Sequence, residues 1–174
     1  MKREVNLLEF YPQSKRPIDD RGNLITEQDR AIARKFDVEY FDGDRLTGYG
    51  GYNYSPRFWT DTVAHIKDFY HLDDNSKILD IGCAKGYMMH DLSLLIPGAE
   101  IKGVDVSNYA KDNSIESMQD NIVVANANNL PFPDDYFDLV IAINTLHNLP
   151  LIDCKQAFRE INRVRKNNSF VMND

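Results

Sequence analysis

The stretch ILDIGCAKGYMMHDL, residues 78–92, carries the information that sets the fold. Apolar residues lead into Asp80 and Ile81, a turn of small residues runs from Gly82 to Gly86, and a helical pattern begins at Tyr87. Strand, glycine turn and helix in that order form the device with which α/β proteins hold the charged or phosphorylated part of a cofactor. Two phosphate versions of the device fit poorly. A dinucleotide fingerprint read from Gly82 places Ala84 and Tyr87 where its second and third glycines belong, and the ring of Tyr87 falls where helix and strand must pack closely. A phosphate loop requires lysine and a hydroxyl residue after its last glycine, and here Tyr87 and Met88 follow Gly86. Asp80 weakens both readings further. A carboxylate next to pyrophosphate costs Coulomb energy, whereas next to an ammonium or sulfonium it stabilises.

Outward from this stretch, short apolar runs alternate with helical segments. KILDI (77–81), EIKGVDV (100–106), NIVVAN (121–126), FDLVIAIN (137–144) and SFVMN (169–173) each read as a buried strand. The segment IDCKQAFREINRV reads as a helix with Asp153 as its N-cap and Ala157, Phe158, Ile161 and Val164 on one face. Such alternation predicts an α/β fold, a Rossmann-like open sheet of mainly parallel strands flanked by helices, with its ligand crevice beyond the carboxyl ends of the strands.

Before residue 76 the pattern is different. TEQDRAIARKF opens with Thr26 as an N-cap and Asp29 three residues on, a capping-box start. In SPRFWTDTVAHIKDFYHL, Ser55 is the expected N-cap, Pro56 the first helical residue, and Trp59, Val63, Ile66 and Phe69 or Tyr70 the apolar face. Between them YFDGDRLTGYGGYNY (40–54) is rich in glycine and tyrosine, a composition suited to covering a ligand. The expected division is therefore an N-terminal helical lid segment, 1–75, and a ligand-binding core, 76–174.

Composition narrows the function classes. With 174 residues, 43% of them hydrophobic, the chain is large enough for a core of its own. No run of about 18 apolar residues occurs, and MKREVNLLEF is charged where a signal peptide is apolar, so a cytoplasmic protein without a membrane span is expected. A net charge of -7 disfavours a phosphate-binding face for nucleic acid. Cys83 and Cys154 lie far apart without metal-ligand spacing, so no metal is expected.

Three stretches together resemble the class I S-adenosylmethionine-dependent methyltransferases: ILDIGCAKG, the Asp105 that ends IKGVD, and ANANNLPFPDDYFDLVIAINTLHNLP (125–150). The resemblance spans about residues 76–174. It implies S-adenosyl-L-methionine as cofactor, S-adenosyl-L-homocysteine as product, and a small-molecule methyl acceptor. By the same resemblance Asp80, Gly82, Cys83, Ala84 and Gly86 hold the methionine part, and Asp105 accepts the ribose hydroxyls beside Val106. Asn126 and Ala127 meet the adenine, Asn144 and Thr145 border the sulfonium, and His147 stands as a candidate general base. Two departures are evident, Ala84 in place of the middle glycine and Asn126 in place of the usual acid. The stretch NTLH lacks the paired prolines and aromatic residue of the adenine methyltransferases, which disfavours nucleic-acid amines as acceptors.

The N-terminal stretch FDGDRLTGYGGYNYSPRFW also resembles a lid segment found in bacterial methyltransferase-domain proteins, and places Arg45, Tyr49, Tyr52 and Tyr54 at the acceptor. The family sheet continues past its fifth strand with a helix and an antiparallel pair, whereas this sequence ends at SFVMND. The expected sheet thus lacks those strands and presents an edge through which a homodimer can form. Two alternatives stay open at this point: a dinucleotide-dependent oxidoreductase, and an S-adenosylmethionine-binding module without catalysis.

Overall fold

Strand β1 (Lys77–Ile81) forms the centre of a five-stranded sheet of order β3-β2-β1-β4-β5, in which every pairing is parallel. The coordinates are a computed structural model that describes residues 5–12, 24–49 and 53–173, the last six by backbone alone. The other strands are β2 (Glu100–Asp105), β3 (Ile122–Val124), β4 (Phe137–Ala142) and β5 (Arg165–Asn173). The helices are α1 (Glu27–Ala33), α2 (Val38–Phe41), α3 (Pro56–Tyr70), α4 (Tyr87–Leu95), α5 (Asn108–Asp112) and α6 (Leu151–Val164), with 3₁₀ turns at Glu116–Asn121 and Leu146–Asn148.

Burial on both faces explains the continuous apolar character of the central strands. Alternate residues of β1 point to opposite sides. Ile78 packs with Val63, Ile66 and Tyr70 of α3 and with Met89 and Leu92 of α4. Leu79 and Ile81 join Ala157, Ile161 and Val164 of α6 on the other side. Asp80 shares the face of Ile78, so an acid occupies a core position of the central strand. Gly103 in β2 permits a close approach on this same face, since a Cβ there would stand 2.5 Å from Met89 Sδ and 2.6 Å from Cys83 Sγ.

Local signals account for most element starts. Thr26 and Asp29 form the reciprocal capping box of α1. Pro56 opens α3 after Ser55, whose side chain makes no cap hydrogen bond. Val63, Ile66 and Tyr70 are the buried face of α3, and Phe69 is exposed. The residues 5–12 lie along this helix, with the Tyr11 ring 4.8 Å from that of Trp59.

The expected N-cap of α6 is corrected. Pro150, not Asp153, precedes the helix, and its extended backbone starts the chain into Leu151. Asp153 instead accepts a hydrogen bond from Asn128 Nδ2 at 2.9 Å. Strand β3 is shorter than NIVVAN, because Asn121 belongs to a 3₁₀ turn and Asn126 caps the following turn, accepting from the Asn128 amide at 3.1 Å. Strand β5 is longer than SFVMN and follows α6 without an intervening loop. Among the described residues no helix is long and apolar enough to cross a membrane.

Candidate functional site

The order β3-β2-β1-β4-β5 reverses between β1 and β4, and open α/β sheets leave their crevice at the carboxyl ends of the two strands flanking such a reversal. Strand β1 leads there to Gly82 and β4 to Asn144 and Thr145. The Thr145 hydroxyl lies 3.0 Å from the Ile81 carbonyl, placed to donate across the reversal. It also lies against Gly82, where a Cβ would stand 2.1 Å from Thr145 Oγ1.

The turn is wound by three positive φ values, 76° at Gly82, 50° at Ala84 and 76° at Gly86. Ala84 holds the left-handed conformation in which a glycine is unstrained, at a cost of roughly 1–2 kcal/mol. Two anchors fix it. Gly82 and Cys83 donate backbone N–H groups to the Val104 carbonyl at 2.7 and 3.2 Å. Ala84 donates to Asp105 Oδ2 at 2.9 Å, while Ser107 donates to Asp105 Oδ1 at the same distance. Asp105 is thus a loop-binding residue as well as a candidate ligand for ribose, and each of its oxygens retains a lone pair. Burial raises its carboxyl above the usual range, against the lowering effect of the backbone N–H groups.

Asp80 lies at the base of this turn, only 4% exposed. Among the described residues no hydrogen bond or ion pair reaches its carboxylate. Burial, with the Asp105 charge adding, pushes it up to about 8. A buried acid lacking a cation is the partner that a ligand ammonium would complete. This observation tests the fit of S-adenosylmethionine: its ammonium matches Asp80, whereas pyrophosphate does not. Cys83 is buried beside both acids, and burial followed by their charges pushes its thiol up, so it serves as a small packed side chain.

The remaining expected residues fall in three places. Around the crevice, Val106 is exposed, Asn126 is exposed in its turn, and Ala127 is buried. Asn144 adopts φ 53° and its carbonyl accepts from Asn148 Nδ2 at 3.1 Å. His147 is exposed in the 3₁₀ turn after β4. On the N-terminal segment Arg45 is exposed. Tyr49 stacks on Tyr40, with ring centroids 5.7 Å apart, and remains 43% exposed. Desolvation of its hydroxyl, with Tyr87, Tyr40, Tyr11 and Asp105 nearby, pushes Tyr49 well above an ordinary phenol. Tyr54 is placed on α4, where its hydroxyl donates to the buried Asp91 and its ring meets Tyr87 and His90. Tyr52 lies outside the described residues.

One part of the site had no sequence signal. Lys85, inside the turn, pairs with Asp42 of the N-terminal segment, Nζ lying 2.6 Å from Oδ1 and 2.7 Å from Oδ2. Among the described residues no group of three or more His, Cys, Asp or Glu is set to hold a metal ion.

Comparison with known proteins is decisive for the family. A family model described as a methyltransferase domain matches residues 79–172, from β1 into β5. The chain belongs to the class I S-adenosylmethionine-dependent methyltransferases. A malonyl-[acyl-carrier protein] O-methyltransferase of Legionella pneumophila is 34% identical to this methyltransferase chain over 100 residues, 55% of the chain and 34% of the relative. A ubiquinone/menaquinone biosynthesis C-methyltransferase of Vibrio campbellii is 26% identical over 156 residues, covering 85% of the chain and 55% of the relative. The methyltransferase chain therefore spans between about a third and about half of the length of these two relatives. The solved structure of a SAM-dependent methyltransferase from Aquifex aeolicus shares the fold, with a TM-score of 0.54 at 19% identity over 82% of this chain and 70% of that one.

Proposed function

We propose that this methyltransferase transfers a methyl group from S-adenosylmethionine to a small-molecule acceptor. The observation that carries the proposal is the buried Asp80 carboxylate, lacking a cation, beneath a turn tied down by Asp105. One relative is named for ubiquinone/menaquinone biosynthesis, which supports a small-molecule acceptor, and the other for a malonyl group held on an acyl-carrier protein.

When bound, the cofactor supplies a methyl group already activated by the positive sulfonium. The protein's tasks are then to orient, to exclude water and to accept a proton where the acceptor carries one. Asp80 pairs with the ammonium. The backbone from Gly82 through Cys83 and Ala84 to Gly86 cradles the methionine part, and Asp105 accepts from the ribose with Val106 beside it. Asn126 and Ala127 border the adenine; an amide both accepts and donates, so Asn126 serves where an acid is usual. Asn144 flanks the sulfonium from the reversal side. The tyrosines of the N-terminal segment, Tyr49, Tyr54 and Tyr52, with Arg45, border the acceptor. His147 takes a proton from an acceptor that must lose one.

Native mass spectrometry against S-adenosylhomocysteine and a nicotinamide dinucleotide tests the cofactor. Binding of the first alone is expected, and binding of the dinucleotide alone overturns the proposal. A methyl-release assay with His147→Ala tests the base: kcat is expected to fall about 10²- to 10⁴-fold at unchanged cofactor affinity.

A further inference from the structure

We infer that Asp42 is a positioning residue for the cofactor turn, latching the N-terminal segment onto Lys85 so that cofactor affinity depends on a residue far from the turn in sequence. The inference rests on the proposed cofactor reading. Lys85 is the fourth residue of GCAKG and is only 4% exposed. Long ammonium side chains rarely occupy such positions unless a carboxylate faces them. Asp42 supplies both carboxylate oxygens to Nζ, and its Oδ2 also accepts the Tyr109 hydroxyl at 2.7 Å. Tyr109 belongs to α5, the helix that follows Asp105. One carboxylate from the N-terminal segment thus holds both the turn after β1 and the helix after β2, the two elements that converge on the cofactor.

Packing around the pair is continuous. Phe41, next to Asp42, is buried and lies 6.4 Å from the Tyr109 ring and 5.5 Å from the Tyr49 ring. The Tyr49 amide donates to the Tyr40 carbonyl at 3.2 Å, which folds the segment back on α2. On the far side of the turn the Lys85 carbonyl accepts from the Ile115 amide at 3.0 Å. Burial alone would raise the Asp42 carboxyl, but the hydrogen bonds from Lys85 and Tyr109 and the Lys85 charge outweigh it and hold it below the usual range. The Asp42 carboxylate is therefore charged across the neutral range, and its bonds to Lys85 and Tyr109 couple docking of residues 37–49 to the shape of the turn. A ligand that needs the wound turn favours the docked segment, and the docked segment favours the ligand by the same factor.

The test is a double-mutant cycle on the whole chain, read by calorimetric titration of S-adenosylhomocysteine. Asp42→Asn is expected to weaken binding by about tenfold, the equivalent of one charge-assisted contact. Lys85→Met removes the ammonium that makes the carboxylate necessary, so Asp42→Asn added to Lys85→Met is expected to cost little more. Asp42→Glu should recover part of the loss, and bound ligand should slow proteolysis within residues 34–49 in the parent but not in Asp42→Asn. Should Asp42→Asn alone fail to fold, Lys85→Met compared with the parent decides the case: about tenfold weaker binding is expected, and parent-like affinity overturns the latch. Parent-like affinity in Asp42→Asn, or simple addition of the two single effects, overturns the latch. Failure of the parent chain itself to bind S-adenosylhomocysteine overturns the cofactor reading and the latch together.

Discussion

Replacing Asp80 by asparagine keeps the shape of the side chain and removes its charge. The carboxyl stands at about 8 in the fold against 3.8 in an open chain, chiefly through burial. At about 1.4 kcal/mol per unit the ionised form would cost up to roughly 5–6 kcal/mol. Because the folded-state value is raised, this part of the stability is complete below about pH 4 and disappears as pH rises through 8. In the absence of cofactor Asp80→Asn should therefore melt above the parent at pH 8.5, by up to roughly 10–24 °C, and level with it near pH 4. Cofactor binding reverses the preference. S-adenosylhomocysteine should bind Asp80→Asn about tenfold to a hundredfold more weakly, the ammonium having lost its counter-charge. In the parent, binding at pH 7 should release a proton, measurable by calorimetry in buffers of different ionisation enthalpy. A variant that melts below the parent by the same amount at both pH values would refute the burial argument. Unchanged affinity without proton release would remove Asp80 from the ammonium.

Asp105→Ala removes the acceptor of the Ala84 and Ser107 amides as well as the proposed ribose contact, so cofactor affinity should fall by about 2–4 kcal/mol and the cofactor-free fold should lose about 1–3 kcal/mol. Calorimetry and thermal melts check the two separately, and an unchanged affinity would leave Asp105 with the loop alone. Gly82→Ala meets both the 76° φ and the Thr145 hydroxyl, and a loss of about 2–3 kcal/mol is expected in denaturant titration. Ala84→Gly, which relieves a φ of 50°, should be neutral or slightly stabilising by the same measurement.

The parallel sheet and the placement of the turn were legible because strands buried on both faces read as continuous apolar runs, and their alternation with helical segments favours parallel crossovers. Asp80 stood out as an acid in an apolar run, and its core position follows from the alternation of β1. Strand ends were less legible. Nothing local in NIVVAN shows that Asn121 is consumed by a 3₁₀ turn, and the early start of β5 depends on its pairing with β4, where Phe137 meets Arg165 and the register then shifts. The Asp42–Lys85 pair was invisible because its partners are 43 positions apart and each alone resembles an ordinary surface charge. Tyr54 lay in a tyrosine-rich stretch, but only the fold shows that its hydroxyl is given to Asp91; desolvation and that bond together push the phenol up to about 12.

The packing of α3 has a consequence for building chimeras. Val63, Ile66 and Tyr70 are part of the same interior as Ile78, Met89 and Leu139, so a cut made just before β1 would open the hydrophobic interior of the recipient. A transplant meant to exchange acceptor preference between relatives should instead be joined between Tyr54 and Pro56, and should carry Asp42 only into recipients that have a lysine at the position of Lys85.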